Sequence, residues 1–215
     1  MIRVLIADDH PLLRTGLRQV LSQDPDLTVA GEAENAEQVL RSVEEQPYDI
    51  VVLDISLPGR SGLEVLTEIR QRHGSLPVLM LSMHDEQHLA IRAIRAGANG
   101  YLTKASAPTE LAPAIRKILS GKRYVSPAVA EAMAQLLSRP SDPDDPGRPP
   151  HELLSDREFQ VICKIASGKS VSQIAADMTL SIKTISTYRA RALEKMGMRT
   201  NAELTRYAIQ NHLVD

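Results

Sequence analysis

The stretch VLIADDHP, Val4 to Pro11, is an apolar run that stops at two adjacent acids before a proline starts a new element. The run reads as a buried strand, and Asp8 and Asp9 stand at its carboxyl end. Unpaired buried charge costs several kcal/mol or more, so the two carboxylates need a counter-charge from elsewhere in the chain.

Working outward, the same alternation of elements recurs five times. RVLIA, LTVAG, DIVVLD, PVLMLS and NGYLTK read as strands. Between and after them, PLLRTGLRQVL, NAEQVLRSVEEQ, GLEVLTEIRQRH, DEQHLAIRAIRAG and PTELAPAIRKILSG carry apolar residues at i, i+3/i+4 and i+7, the helical spacing. The unbroken apolar character of IVVL and VLML fits strands covered on both faces. Five strand–helix repeats predict an α/β domain with a doubly wound five-stranded parallel sheet. A further helical segment, SPAVAEAMAQLLS, leads into RPSDPDDPGRPP, Arg139 to Pro150. That segment holds five prolines in twelve residues and nothing apolar, so it predicts an extended, semi-rigid linker. Beyond it only helices are expected. SDREFQVICKIASG opens with a capping-box pattern, Ser155 with Glu158 three residues on, and SVSQIAADM, SIKTISTYRARALEKMG and TNAELTRYAIQNHL follow at short intervals. The expected domains are 1–122, 123–150 for the helix and linker, and 151–215.

Composition narrows the class. Of 215 residues, 43% are hydrophobic and 24% charged, with no Trp and one Phe, so the cores must be aliphatic. The single cysteine, Cys163, precludes an intramolecular disulfide and reads as a buried, inert thiol. No apolar run approaches the ~18 residues of a membrane span, and the amino terminus turns acidic too early for a signal peptide; a cytosolic protein is expected. Residues 151–215 carry nine basic and seven acidic side chains and are the only net basic part, which favours an anionic partner there.

Ligands of an open parallel sheet sit beyond the carboxyl ends of its strands. Those ends supply Asp8 and Asp9, Asp54, Ser82, and Thr103 with Lys104. Two like charges 4 Å apart repel by about 4 kcal/mol at an effective dielectric of 20, and one lysine cannot neutralise three acids. An all-oxygen site of this kind suits Mg²⁺ rather than zinc or copper. A carboxylate beside such a cation can attack a phosphoryl group, and Asp54, in the turn-rich loop DISLPGRSG, is the best nucleophile, with Ser82 placed to hydrogen-bond the product.

ADDHP, DISLPGRSG, LSMHD and GYLTK together resemble the receiver domain of bacterial two-component response regulators, a flavodoxin-like fold. The resemblance implies that Asp54 accepts phosphate from a sensor histidine kinase. It implies Asp9 as a direct Mg²⁺ ligand, Asp8 mainly through water, and Ser56 through its backbone carbonyl. Ser82 and Tyr101 match the switch positions, and Lys104 the lysine that contacts the phosphoryl group. Many receivers have proline after that lysine; here Ala105 follows. Haloacid-dehalogenase-type phosphatases need a second acid two residues beyond the nucleophile, where this chain has Ser56, so a turnover enzyme is not expected. HDEQH, His84 to His88, departs from a zinc-protease motif at its second residue and reads as a solvated helix start.

The segment from Ser170 to Gly197 has a helix-turn-helix pattern, with a turn at Thr179–Leu180 and a longer helix capped by Ser181. On a helical wheel Ile182, Ile185, Tyr188, Ala192, Leu193 and Met196 form the expected core face. Lys183, Thr184, Thr187, Ala190, Arg191 and Glu194 form the opposite one. The basic residues Lys183, Arg189, Arg191, Lys195 and Arg199 face one acid, Glu194. LSDREFQVICKIASGKSVSQIAADMTLSIKTISTYRARALEKMG is similar to the LuxR-type helix-turn-helix of the NarL/FixJ subfamily. That similarity implies DNA contacts in the major groove from Lys183, Thr184, Ser186, Thr187, Ala190 and Arg191, and two half-sites read by a homodimer through the last helix, Asn201–Leu213. RNA polymerase joins the expected partners. The alternative is a receiver that acts through protein partners, with the helical domain as an assembly module.

Overall fold

The structure is a computed structural model that describes residues 1–83, 87–137, 149–211 and 213–214. These form two compact units, Met1–Leu136 and Leu137–Asp215.

The first unit alternates strand and helix in chain order. The elements are β1 (Ile2–Ala7), α1 (Pro11–Ser22), β2 (Leu27–Ala33), α2 (Ala36–Glu45), β3 (Ile50–Asp54), α3 (Gly62–Arg72), β4 (Val78–Ser82), α4 (Gln87–Arg95), β5 (Gly100–Thr103), α5 (Ala107–Leu119) and α6 (Pro127–Leu137). The strands lie in the order β2-β1-β3-β4-β5 and every pairing is parallel. The order reverses at β1, so the crevice opens where the β1 and β3 ends meet. In register, Ala7 pairs with Leu53 and Asp54 with Leu81, which brings both acid-bearing ends level.

Strand side chains alternate between faces. Val4, Ile6, Ile50, Val52, Leu79 and Leu81 pack with Leu17 and Leu21 of α1 and Leu111, Ile115 and Ile118 of α5. Leu5, Val51, Leu53 and Met80, fully buried too, project to the opposite face, on which α2, α3 and α4 bury Val39, Leu66, Ile69, Ala90 and Ala93. Each fully buried aliphatic side chain contributes about 1.5–3 kcal/mol, and this two-sided burial holds the strand ends in place.

The second unit is helical. A 3-10 turn at Pro150–Leu153 precedes α7 (Asp156–Ala166), α8 (Val171–Asp177), α9 (Ile182–Lys195) and α10 (Asn201–Gln210). The Ser155/Glu158 capping box forms as expected, and Ser170 with Gln173 makes a second one at the start of α8. Helix α7 packs on α9 and α10, and α8 on α9, around Phe159, Ile162, Ile174, Ile185, Leu193 and Leu204. Cys163 is buried within α7.

Two readings lie outside the described residues in whole or part. The His84–His88 stretch includes residues 84–86, and the proline segment includes residues 139–148. Pro150 itself opens the 3-10 turn rather than continuing an extended linker. Helix α6 falls within the first unit except for its last residue, Leu137.

Candidate functional site

At the carboxyl edge of the sheet, Asp8 and Asp54 are fully buried and Lys104 nearly so. Lys104 Nζ lies 2.6 Å from Asp8 Oδ2 and 2.8 Å from Asp54 Oδ2, so one ammonium bridges two carboxylates. Lys104 is positioned by its backbone, whose N–H donates to the Ser82 carbonyl at 2.7 Å across β5 and β4. The remaining oxygens are also held: Ser56 N–H donates to Asp54 Oδ1 at 3.1 Å, and His10 N–H to Asp8 Oδ1 at 2.8 Å.

Asp9 is more open, and its Oδ1 lies 2.7 Å from the His10 ring nitrogen Nδ1. One ligand atom each from Asp8, Asp9, His10 and Asp54 falls within 4.8 Å of the others, a cluster that could hold a cation. Burial pushes the Asp54 carboxyl above its ordinary value, Lys104 pulls it down, and the Asp8 charge pushes it up again. Burial works against the Lys104 ammonium, but the charge and hydrogen bond of Asp54, with help from Asp8, outweigh it and raise its pKa. The pocket is short of positive charge, as its composition predicts.

Glycine has a specific part here. A Cβ at Gly62 would collide with the Asp54 carbonyl oxygen, so only glycine lets α3 start this close to the acid. Its N–H donates to the Ile55 carbonyl at 2.9 Å, closing the Ile55–Ser61 loop on itself. Ser61 then caps α3 by accepting from Leu63 N–H.

In the second unit, the turn before α9 places Thr179 at φ 52, and Leu180 N–H returns to the Ala175 carbonyl at 2.9 Å. Ser181 caps α9 through Thr184 N–H at 3.0 Å. Lys183, Ser186, Thr187, Ala190 and Arg191 are exposed and Thr184 is half-buried. The Thr184 and Thr187 hydroxyls already bond Ser181 Oγ and the Lys183 carbonyl.

The "Response regulator receiver domain" family model matches residues 4–116, and that of "Bacterial regulatory proteins, luxR family" matches residues 152–208. Response regulator UvrY of Escherichia coli (strain K12) is 36% identical over 213 residues, 99% of this chain and 96% of UvrY. Response regulator GacA of Pseudomonas aeruginosa is 35% identical over 215 residues, 100% of this chain and 99% of GacA. The chain belongs to the response regulator family. Among solved structures, an RcsB response regulator from Salmonella typhimurium is similar at 26% identity and a TM-score of 0.67, covering 97% of each chain. A LuxR-family two-component response regulator from Aurantimonas is 40% identical with a TM-score of 0.59, covering 64% of this chain and 98% of the other. The chain is therefore a response regulator with a receiver domain and a LuxR-type DNA-binding domain.

In the response regulator, Asp8, Asp9, Asp54 and Lys104 lie together at the carboxyl edge of the sheet, and Ser82 on β4 and Tyr101 on β5 are buried. The Lys104–Ala105 peptide is trans, so alanine is accommodated without a special bond.

Two expectations need correction. Ile182, assigned to the core face of α9, is the first residue of that helix and is 56% exposed. Lys195 does not belong to an unopposed basic face: its Nζ bonds Glu158 Oε2 at 2.7 Å, while Arg189 Nε donates to Asn201 Oδ1 at 2.6 Å. Lys195 is thus paired with an acid, whereas Lys183, Arg191 and Arg189, whose Asn201 partner is neutral, keep their charge on α9. A further residue lines the acidic cluster: the His10 side chain is 63% exposed, and its ring sits against both Asp8 and Asp9. Its adjacency to the acids was the available signal.

Proposed function

We propose that Asp54 is the phosphoacceptor of this response regulator and receives its phosphoryl group from a sensor histidine kinase. The observation that carries the proposal is the buried Asp54 carboxylate, bridged through Lys104 to Asp8 and grouped with Asp9. An Asp54 oxygen attacks phosphorus; the new O–P bond forms as the donor's bond to phosphorus breaks. Lys104 stays protonated and moves its hydrogen bonds to the phosphoryl oxygens. The Ser82 hydroxyl, beside Asp54 on the neighbouring strand, donates to the same group.

The all-oxygen donors Asp8, Asp9 and Asp54, with the Ser56 carbonyl, fit Mg²⁺, while the His10 nitrogen lies at the open rim. Bound there, Mg²⁺ would neutralise charge on the phosphoryl oxygens. The buried Tyr101 ring and Ser82 are the proposed switch pair.

Phosphorylation is proposed to shift the receiver between two conformations and so control dimerisation and binding to two DNA half-sites. Lys183, Thr184, Ser186, Thr187, Ala190 and Arg191 would face the major groove, and α10, whose Ile209 is half exposed, would contact the second subunit. The solved RcsB–DNA complex, 26% identical with a TM-score of 0.59, supports the assignment of the helical unit to DNA. Domain limits of 1–122, 123–150 and 151–215, a cytoplasmic location and contact with RNA polymerase complete the proposal.

The test of the phosphoacceptor is Asp54→Asn, which is expected to abolish labelling by acetyl phosphate; retained Mg²⁺-dependent labelling would refute it. For DNA, Lys183→Ala is expected to weaken binding to DNA from upstream of the chain's own gene and to lower the salt slope by about 1. Binding unchanged by both Lys183→Ala and Thr187→Ala would remove α9 from the interface.

A further inference from the structure

One buried charge in the first unit takes no part in the chemistry above. Arg14 lies in the first turns of α1, yet it is only 7% exposed. Its guanidinium reaches acceptors on three residues outside its own helix. Nη1 donates to the Asp8 carbonyl oxygen at 2.6 Å, Nε to Glu32 Oε2 at 3.3 Å, and Nη2 to Glu34 Oε1. Glu32 is held from its other oxygen by Arg18, and Asp8 N–H donates to the Ala33 carbonyl at 3.0 Å. The end of β1 is thus fastened to β2 on one side of Asp8 and to Arg14 on the other.

The bond to Asp8 matters because of the peptide it holds. A trans peptide is planar and its plane contains both flanking Cα atoms. The Asp8 carbonyl belongs to the peptide that joins Asp8 to Asp9, so fixing this oxygen fixes the plane that carries both acid side chains. The Asp8 carboxylate has Lys104 and the His10 N–H to orient it as well. Asp9 faces the largely exposed His10 ring and depends more on its backbone. A guanidinium suits the task, since it is always charged and holds several acceptors in one rigid plane.

We propose that Arg14 is a positioning residue for the cation site: it acts through the Asp8–Asp9 peptide and touches neither cation nor phosphoryl group. The inference rests on the proposal that Asp8, Asp9 and Asp54 bind Mg²⁺. Mg²⁺ itself is the probe, titrated calorimetrically into the full chain, with the Asp9 amide nitrogen resonance as a local reporter.

In Arg14→Met the Mg²⁺ dissociation constant is expected to rise about tenfold, the usual scale for losing a partner that orients a ligand. The Asp9 resonance should move, because its nitrogen belongs to the released peptide. Glu34→Ala removes an ion pair of Arg14 but leaves the Asp8 bond, and should keep the constant within about twofold. Arg14→Lys keeps the charge and fits the same space, but one ammonium cannot hold the carbonyl and both glutamates, so a loss of about threefold is expected. If Arg14→Met does not fold, Arg14→Lys decides. Unchanged affinity in the Arg14 variants overturns the inference, and so does an equal loss in Glu34→Ala, which would make Arg14 a brace of the fold. Absence of Mg²⁺ binding by the unaltered protein would instead sink the cation reading beneath it.

Discussion

Removing the Lys104 ammonium, as in Lys104→Met, should destabilise the receiver in a way that depends on pH. Lys104 Nζ lies 2.6 Å from Asp8 and 2.8 Å from Asp54, and each contact has a gross attraction of about 6 kcal/mol at an effective dielectric of 20. Burying the ammonium costs several kcal/mol of hydration, which offsets much of that sum. Taking one partner from a buried pair costs about 3–5 kcal/mol net, because the remaining charges stay buried and uncompensated. For a domain of this size that is a fall of roughly 10–20 °C in melting temperature. The Asp54 pKa is already raised by burial, and losing Lys104 raises it further. A carboxyl with a raised folded-state pKa favours folding below its unfolded pKa and loses that contribution as pH rises through the folded value. The gap between variant and parent should therefore be widest at alkaline pH and should narrow as the medium is acidified. The difference between the two proteins at each pH is the quantity to read. Differential scanning calorimetry of the receiver transition in EDTA, from pH 5 to 8, supplies the measurement. Mg²⁺ should restore more stability to the variant than to the parent, since it replaces the missing charge. A melting temperature within about 2 °C of the parent at pH 8, or a gap that does not change with pH, would refute this account of the pocket.

Two further outcomes are expected. Gly62→Ala forces a Cβ into the Asp54 carbonyl, so α3 must shift; a loss of about 1–3 kcal/mol in thermal unfolding, with slower acetyl-phosphate labelling, is expected. Lys195→Met should cost about 1 kcal/mol of stability by releasing Glu158, yet leave the salt slope of DNA binding unchanged, where Lys183→Ala lowers it by about 1. Equal salt slopes for these two variants, measured by fluorescence anisotropy, would contradict the division of labour on α9.

Much of this protein follows from local pattern. Apolar runs broken by helical spacing specify the parallel sheet, because strands covered on both faces read as continuous IVVL and VLML. The edge that carries Asp8, Asp9, Asp54, Ser82 and Lys104 then follows from topology alone, since parallel strands present all their carboxyl ends together. The Ser155, Ser170 and Ser181 caps are equally local, as a cap and its amide lie three residues apart.

Tertiary packing decided the rest, and the residues concerned share a physical character. Arg14 and Lys195 carry long flexible side chains whose partners lie on other elements: Arg14 finds Asp8, Glu32 and Glu34, and Lys195 crosses from α9 to Glu158 on α7. A wheel shows which way such a residue leaves its own helix and says nothing about what stands opposite. Ile182 shows the converse, since its apolar side chain falls on the core face of α9 yet stands exposed at the first residue of the helix. Periodicity along one element determines its type and its preferred face; the length and position of the neighbours determine which members of that face are buried and which charges are paired.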